Sequence, residues 1–197
     1  MIKEIEKIIL SREGNLVLRN STVPNTDLSY DIGRHTAGMA QIFSIWYNYC
    51  LENPESENEI ENIRYKECID YILFHDSGFE WFTSDIPGNA KIESSGLKGA
   101  VSQIEDKIQE RWGFVPLITE KEQRVIKLID KLEYYFWCVD MTYQGLRTRK
   151  FHEALINTIT SLTRKLEEQD SYFFKILKNK YADEDIKEEL TRENYLT

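Results

Sequence analysis

The sequence predicts an all-α fold, a bundle of about seven helices. Apolar residues recur at steps of three and four in most long windows, the mark of an amphipathic helix. Helix-breaking residues are sparse, with 9 Gly and 4 Pro among 197 residues, and no window reads convincingly as a strand.

Residues 2–9 open the chain with Ile2, Ile5, Ile8 and Ile9 at helical spacing. Residues 14–31 are irregular, with Gly14, Pro24, Asn25 and Asp27; loops this long are often functional. Arg12, Arg19 and Arg34 stand at or near its ends. A helix is expected over 35–50, with the inward stripe Met39, Ile42, Phe43, Trp46 and Cys50. His35 falls four residues before Met39, at the start of that stripe. Taken alone it reads as a satisfied core histidine. Residues 53–62, NPESENEIEN, are the most polar patch and are expected to be a loop. Residues 65–76 repeat the helical pattern through Tyr65, Cys68, Ile69 and Ile72, which points Asp76 inward.

Residues 84–99 are turn-rich, with Pro87, Gly88, Gly96 and Gly99. A helix follows over 98–112, with Val101, Ile104, Glu105, Ile108 and Trp112 on one face. Thr119 and Glu122 have capping-box spacing and open a long helix over 120–145. Its stripe runs Val125, Ile126, Ile129, Leu132, Phe136 and Val139, with Asp130 beside it. A basic turn, LRTRKF, leads to helices over 151–168 and 171–189. His152, after that turn, reads as a surface residue.

The length fits one domain over 1–197, enough to bury a sizeable core. A formal net charge of -9 argues against nucleic acid as the main partner. An anionic small substrate then requires local positive charge, from a metal or arginines. Cys50, Cys68 and Cys138 are far apart and lie in apolar runs, so they read as buried free thiols in a reducing compartment. The N-terminal residues, MIKEIEKIIL, are neither a signal peptide nor a membrane span, and a cytoplasmic location is expected.

The chemistry gathers around residues 74–91, FHDSGFEWFTSDIPGNAK. His75 and Asp76 end an apolar run, and Glu80 follows Asp76 at a spacing that shares a helical face. Bare HD is a frequent dipeptide; it gains weight from the distant His35 and Asp130. A core does not admit an unpaired carboxylate. One divalent metal held by His35, His75, Asp76 and Asp130 would satisfy all four residues. Two imidazoles and two carboxylates suit Mn, Co, Zn, Fe or Ni better than Mg. A surface residue is the weaker reading of Asp130, whereas Trp81 and Phe82 are core before they are platforms for a base.

The arrangement of a His opening one helix, an HD pair ending another and an Asp in a later long helix resembles the H…HD…D signature of the HD-domain metal-dependent phosphohydrolases. Glu80 and the run TSDIPGNAK resemble the E…TGDLPTPVK segment of the bacterial 5'-deoxynucleotidases and related phage nucleotide phosphohydrolases. Leu18-Arg19-Asn20 resembles the stretch preceding the first His of that family, and Ile129-Asp130-Lys131-Leu132 the run bearing its last ligand.

The resemblance implies an HD-domain helical bundle with its core over 12–145. It matches His35, His75, Asp76 and Asp130 to the metal ligands, Glu80 to the acid working with metal-bound water, and Asp85 to the residue setting the nucleotide pocket. Arg12 or Arg19 would hold phosphate, and Lys91 and Trp81 complete the substrate side. The implied reaction is hydrolysis of (deoxy)nucleoside 5'-monophosphates. The alternatives are a dNTP triphosphohydrolase, with a second metal such as Mg on the triphosphate, and a non-catalytic nucleotide-binding module. A homo-oligomer, dimer or larger, is implied as well. The sequence departs from the family in reading HDxxxE where HDxxE is usual, and in lacking a Trp after either arginine. A one-residue bulge would restore the face of Glu80. A metal-free helical interaction protein requires the four residues to converge by accident.

Overall fold

The computed structural model describes residues 31–76, 94–112, 117–146, 148–168, 171 and 173–175. The expectations for residues 2–9, 14–30 and 77–93, and for the last helix beyond 175, lie outside the described residues. Among the described residues the fold is all-α, with six α-helices, one 3-10 turn and no strand. The helices are α1 (Ile32–Glu52), α2 (Glu57–Ile60), α3 (Tyr65–Phe74), α4 (Ser95–Trp112), α5 (Glu120–Tyr143) and α6 (Arg149–Glu168); the 3-10 turn is Pro54–Ser56. No helix among the described residues is long and apolar enough to cross a membrane.

These residues fall into two compact units. The first holds residues 31–40 and the described part of 64–119; the second holds 41–63 and the described part of 120–175. The division lies within α1, after Ala40.

In the first unit, α1 starts on a side-chain cap. Asp31 Oδ1 accepts the Arg34 amide at 2.8 Å, and the Asp31 carbonyl accepts the His35 amide at 3.1 Å. The side-chain bond satisfies a helix-end donor that has no intrahelical partner, and the carbonyl bond is the first of the helix itself. The first turns of α1 bury Ile32, His35, Thr36 and Met39. Helix α3 buries Cys68 and Ile72, whereas Tyr65, expected on the same stripe, is 39% exposed. It is the first residue of the helix, where the inward face has barely begun. Helix α4 begins three residues before the expected start. Ser94 Oγ accepts the Leu97 amide at 3.2 Å, so the cap carries the helix through Gly96 and Gly99, both expected in a turn.

In the second unit, the later turns of α1 bury Phe43, Trp46 and Cys50. Trp46 stacks on Phe174 with centroids 5.5 Å apart. The polar stretch after α1 is not a plain loop. Pro54 opens the 3-10 turn, where its missing amide costs nothing, and α2 follows with Ile60 buried. The segment is tied down by polar contacts: Trp46 Nε1 donates to Glu59 Oε2 at 3.1 Å, and Lys121 Nζ donates to the carbonyls of Asn58 and Glu61 at 3.1 and 2.7 Å.

Helix α5 is the central element of this unit. Its buried side reaches well beyond the expected stripe, taking in Leu128, Tyr135, Trp137, Cys138 and Met141, while Phe136 is half-buried. It packs on α6, where Leu155 and Leu162 are fully buried and Phe151 meets Trp137 edge-on at 6.1 Å. It ends in a Schellman motif. The Gly145 amide donates to the Thr142 carbonyl and the Leu146 amide to the Met141 carbonyl, each at 3.0 Å, with Gly145 at φ +88°. Thr148 Oγ1 then caps α6 through the Phe151 amide at 3.3 Å. His152, expected on the surface, is half-buried beside Phe151. The three cysteines are free and buried.

Candidate metal centre

Two helix ends of the first unit build the site. Capping by Asp31 places His35 in the opening turns of α1, where it is fully buried. His75 is the residue that ends α3; its backbone stays helical at φ -66° and ψ -31°, and Asp76 follows at once.

The resulting group is His35, His75 and Asp76, with one donor atom from each lying within 4.8 Å of the others. The Asp76 carboxylate divides its oxygens between the two rings. Oδ1 is 3.5 Å from His75 Nε2 and Oδ2 is 3.9 Å from His35 Nε2. The imidazole centroids are 6.1 Å apart, with planes inclined at 50°.

The donor chemistry and the spacing fit a small divalent ion. Two ligands each about 2.1 Å from a tetrahedral centre lie about 3.4 Å apart, close to the 3.5 Å of the His75–Asp76 contact. The 3.9 Å of the His35–Asp76 contact is wider than a hydrogen bond, so that pair is spaced more as co-ligands than as donor and acceptor.

His75 is held in one tautomer. Its Nδ1 lies 2.8 Å from the Ile72 carbonyl. A carbonyl only accepts, so Nδ1 carries the hydrogen and the neutral ring keeps its lone pair on Nε2, facing Asp76. A histidine ligand bound through one nitrogen ordinarily donates its other N–H to a carbonyl or carboxylate in this way. Tyr71, one turn earlier on α3, stacks on the same ring at 5.8 Å and 19°. Asp76 keeps 29% of its side chain exposed and His75 17%, whereas His35 is fully buried.

Of the expected ligands, His35, His75 and Asp76 come together. Asp130 lies on α5 of the second unit; its side chain is 28% exposed, with Oδ2 3.6 Å from Lys131 Nζ. Glu80, Asp85, Trp81, Lys91, Arg12 and Arg19 lie outside the described residues. Sequence reasoning missed Asp31, Tyr71 and the Ile72 carbonyl. The first carried a signal, a capping residue type directly before the apolar run of α1. Tyr71 carried a weak one, its spacing of four before His75. A backbone carbonyl carries none.

No protein-family model matches this sequence, and no curated protein and no solved structure matches it.

Proposed function

We propose that the chain is a metal-dependent phosphohydrolase of nucleotides, acting first on (deoxy)nucleoside 5'-monophosphates. The observation that supports it is the convergence of His35, His75 and Asp76, in which one carboxylate faces both imidazole Nε2 atoms. The resemblance of the flanking sequence supplies the substrate class. A bound divalent cation there would polarise a phosphoryl oxygen and lower the pKa of water.

The residues of the chain supply the rest. His35 and His75 present neutral nitrogen donors, and Asp76 offsets part of the cation's charge while leaving net positive charge for an anionic ester. That local charge is needed on a chain of net charge -9. Glu80 exchanges protons with the water or the leaving oxygen. Arg12 or Arg19 clamps the phosphate, since phosphoryl transfer depends mainly on positioning and electrostatics. Asp130 is the fourth ligand that the resemblance implies.

The test is a release screen over all nucleoside mono- and triphosphates with Mn or Co added, phosphate and triphosphate being measured separately. Phosphate from monophosphates is the expected result. Triphosphate from dNTPs would replace this reading with a triphosphohydrolase. Silence on every substrate with metal bound would replace it with a nucleotide-binding module.

A further inference from the structure

We infer that Tyr71 is a positioning residue for the metal ligand His75, setting the plane of its ring so that Nε2 is presented to the cation; this rests on the metal-site reading above. His75 is the C-cap of α3. Two settings of its ring matter to a bound cation: which nitrogen points inward, and the tilt of the ring, which rotates in a broad well. The Nδ1 contact to the Ile72 carbonyl at 2.8 Å fixes the first. Its hold on the tilt is weaker, because a single hydrogen bond to a carbonyl tolerates a wide range of planes.

Tyr71 restrains the tilt. Its ring lies nearly parallel to the imidazole, 5.8 Å between centroids and 19° between planes, from the position one helical turn earlier. The same backbone turn therefore delivers both restraints, the carbonyl of Ile72 in the ring plane and the face of Tyr71 against it. Tyr71 touches His75 from the side of α3, whereas Asp76 Oδ1 meets Nε2 at the ring edge. Stacking thus orients the ligand without competing for the coordinating atom. A flat ring is what the role requires, so phenylalanine should serve and an aliphatic side chain should not.

Cobalt(II) titration of the full chain tests this, read by visible absorption and by competition with a chromophoric chelator, with circular dichroism melts of the metal-free proteins beside it. Wild type and Tyr71→Phe are expected to bind Co(II) alike, with the same ligand-field spectrum. Tyr71→Leu is expected to bind about tenfold more weakly, with a shifted or broadened spectrum and an unchanged melt. Tyr71→Met serves as a second non-aromatic variant in case Tyr71→Leu does not fold. Equal affinity and equal spectra in the aliphatic variants and wild type would overturn the inference while leaving the metal site standing. A Tyr71→Phe as weak as Tyr71→Leu would overturn it too, by assigning the effect to the hydroxyl. Failure of the wild type to bind Co(II) would overturn the metal-site reading itself.

Discussion

His35 and Asp76 approach to 3.9 Å, Nε2 to Oδ2, from the first turns of α1 and the second residue beyond α3. The histidine is fully buried and the carboxylate partly open to solvent. Two helices that share no local sequence thus deliver complementary ligands to one point. Burying a polar ring is costly unless its nitrogens find partners.

The pair should therefore depend on Asp76 for metal. In Asp76→Asn the shape is kept and the charge lost. Bound Mn, Co or Zn should fall at least tenfold, while the helical circular dichroism signal stays as in wild type. Metal should also raise the wild-type melting temperature, since an ion that binds only the folded chain stabilises it by mass action, and this increment should vanish in Asp76→Asn. Undiminished metal content by elemental analysis would exclude the site. Asp130→Ala, measured alongside, decides whether the fourth expected ligand is real: a loss comparable to Asp76→Asn would support it, and wild-type affinity would remove it.

The inward direction of His35 was legible because the stripe of α1 is long and regular, with Met39, Phe43, Trp46 and Cys50 all buried as spaced. The neighbouring polar stretch misled, because polarity reports solvent exposure and not backbone conformation. Pro54, the buried Ile60 and the contacts of Glu59 and Lys121 hold short helical turns there. At Gly96 and Gly99, glycine content signals a turn, but the Ser94 cap outweighs it. The width of the buried face of α5 was hidden for a different reason. A stripe predicts one packing partner, and Trp137, Cys138 and Met141 are buried beyond it.

Asp31 should prove important well beyond its size. Its carboxylate caps the helix that presents His35. Asp31→Ala should cost about 1 kcal/mol, seen as a melting temperature lowered by about 2–4 °C for a chain of this length. Asp31→Asn, which keeps an acceptor oxygen, should restore most of the loss. An alanine variant that melts with wild type would mean that the cap contributes nothing to stability.

Two glycines should respond to alanine with opposite signs. At both, an added Cβ meets nothing within 4 Å, so only backbone conformation distinguishes them. Gly99 is interior to α4, and Gly99→Ala should stabilise by about 0.5–1 kcal/mol through a lower entropy cost of ordering. Gly145 holds φ +88° in the Schellman turn of α5, and Gly145→Ala should destabilise by about 1–2 kcal/mol. Urea titrations of the two variants give both values, and a shift of the same sign in the two would contradict the assigned backbone states.

Alkaline pH should unfold the chain early. Burial, reinforced by Glu59, pushes the Cys50 thiol from 9.0 up to about 12. Burial, then Glu133, raises Cys138 as well. Burial, then the nearby Cys138, lifts the Tyr135 hydroxyl from 10.0 to about 12. In each case the folded state holds its proton more tightly than the unfolded chain does. The stabilisation is therefore fully present below the unfolded value and is lost as pH rises toward the folded one. Each thiol should remove about 1.4 kcal/mol per pH unit above its unfolded value, so urea midpoints should be flat between about pH 7 and pH 8 and fall steeply beyond about pH 9. Replacing Cys50 and Cys138 by Ala should flatten the alkaline limb, because the groups that must ionise on unfolding are gone. A limb equally steep in the double variant would assign the loss to tyrosine or lysine titration instead. Thiol reagents complete the test: all three cysteines are buried, so none should react in the folded protein near neutral pH, and all should react once urea exposes them.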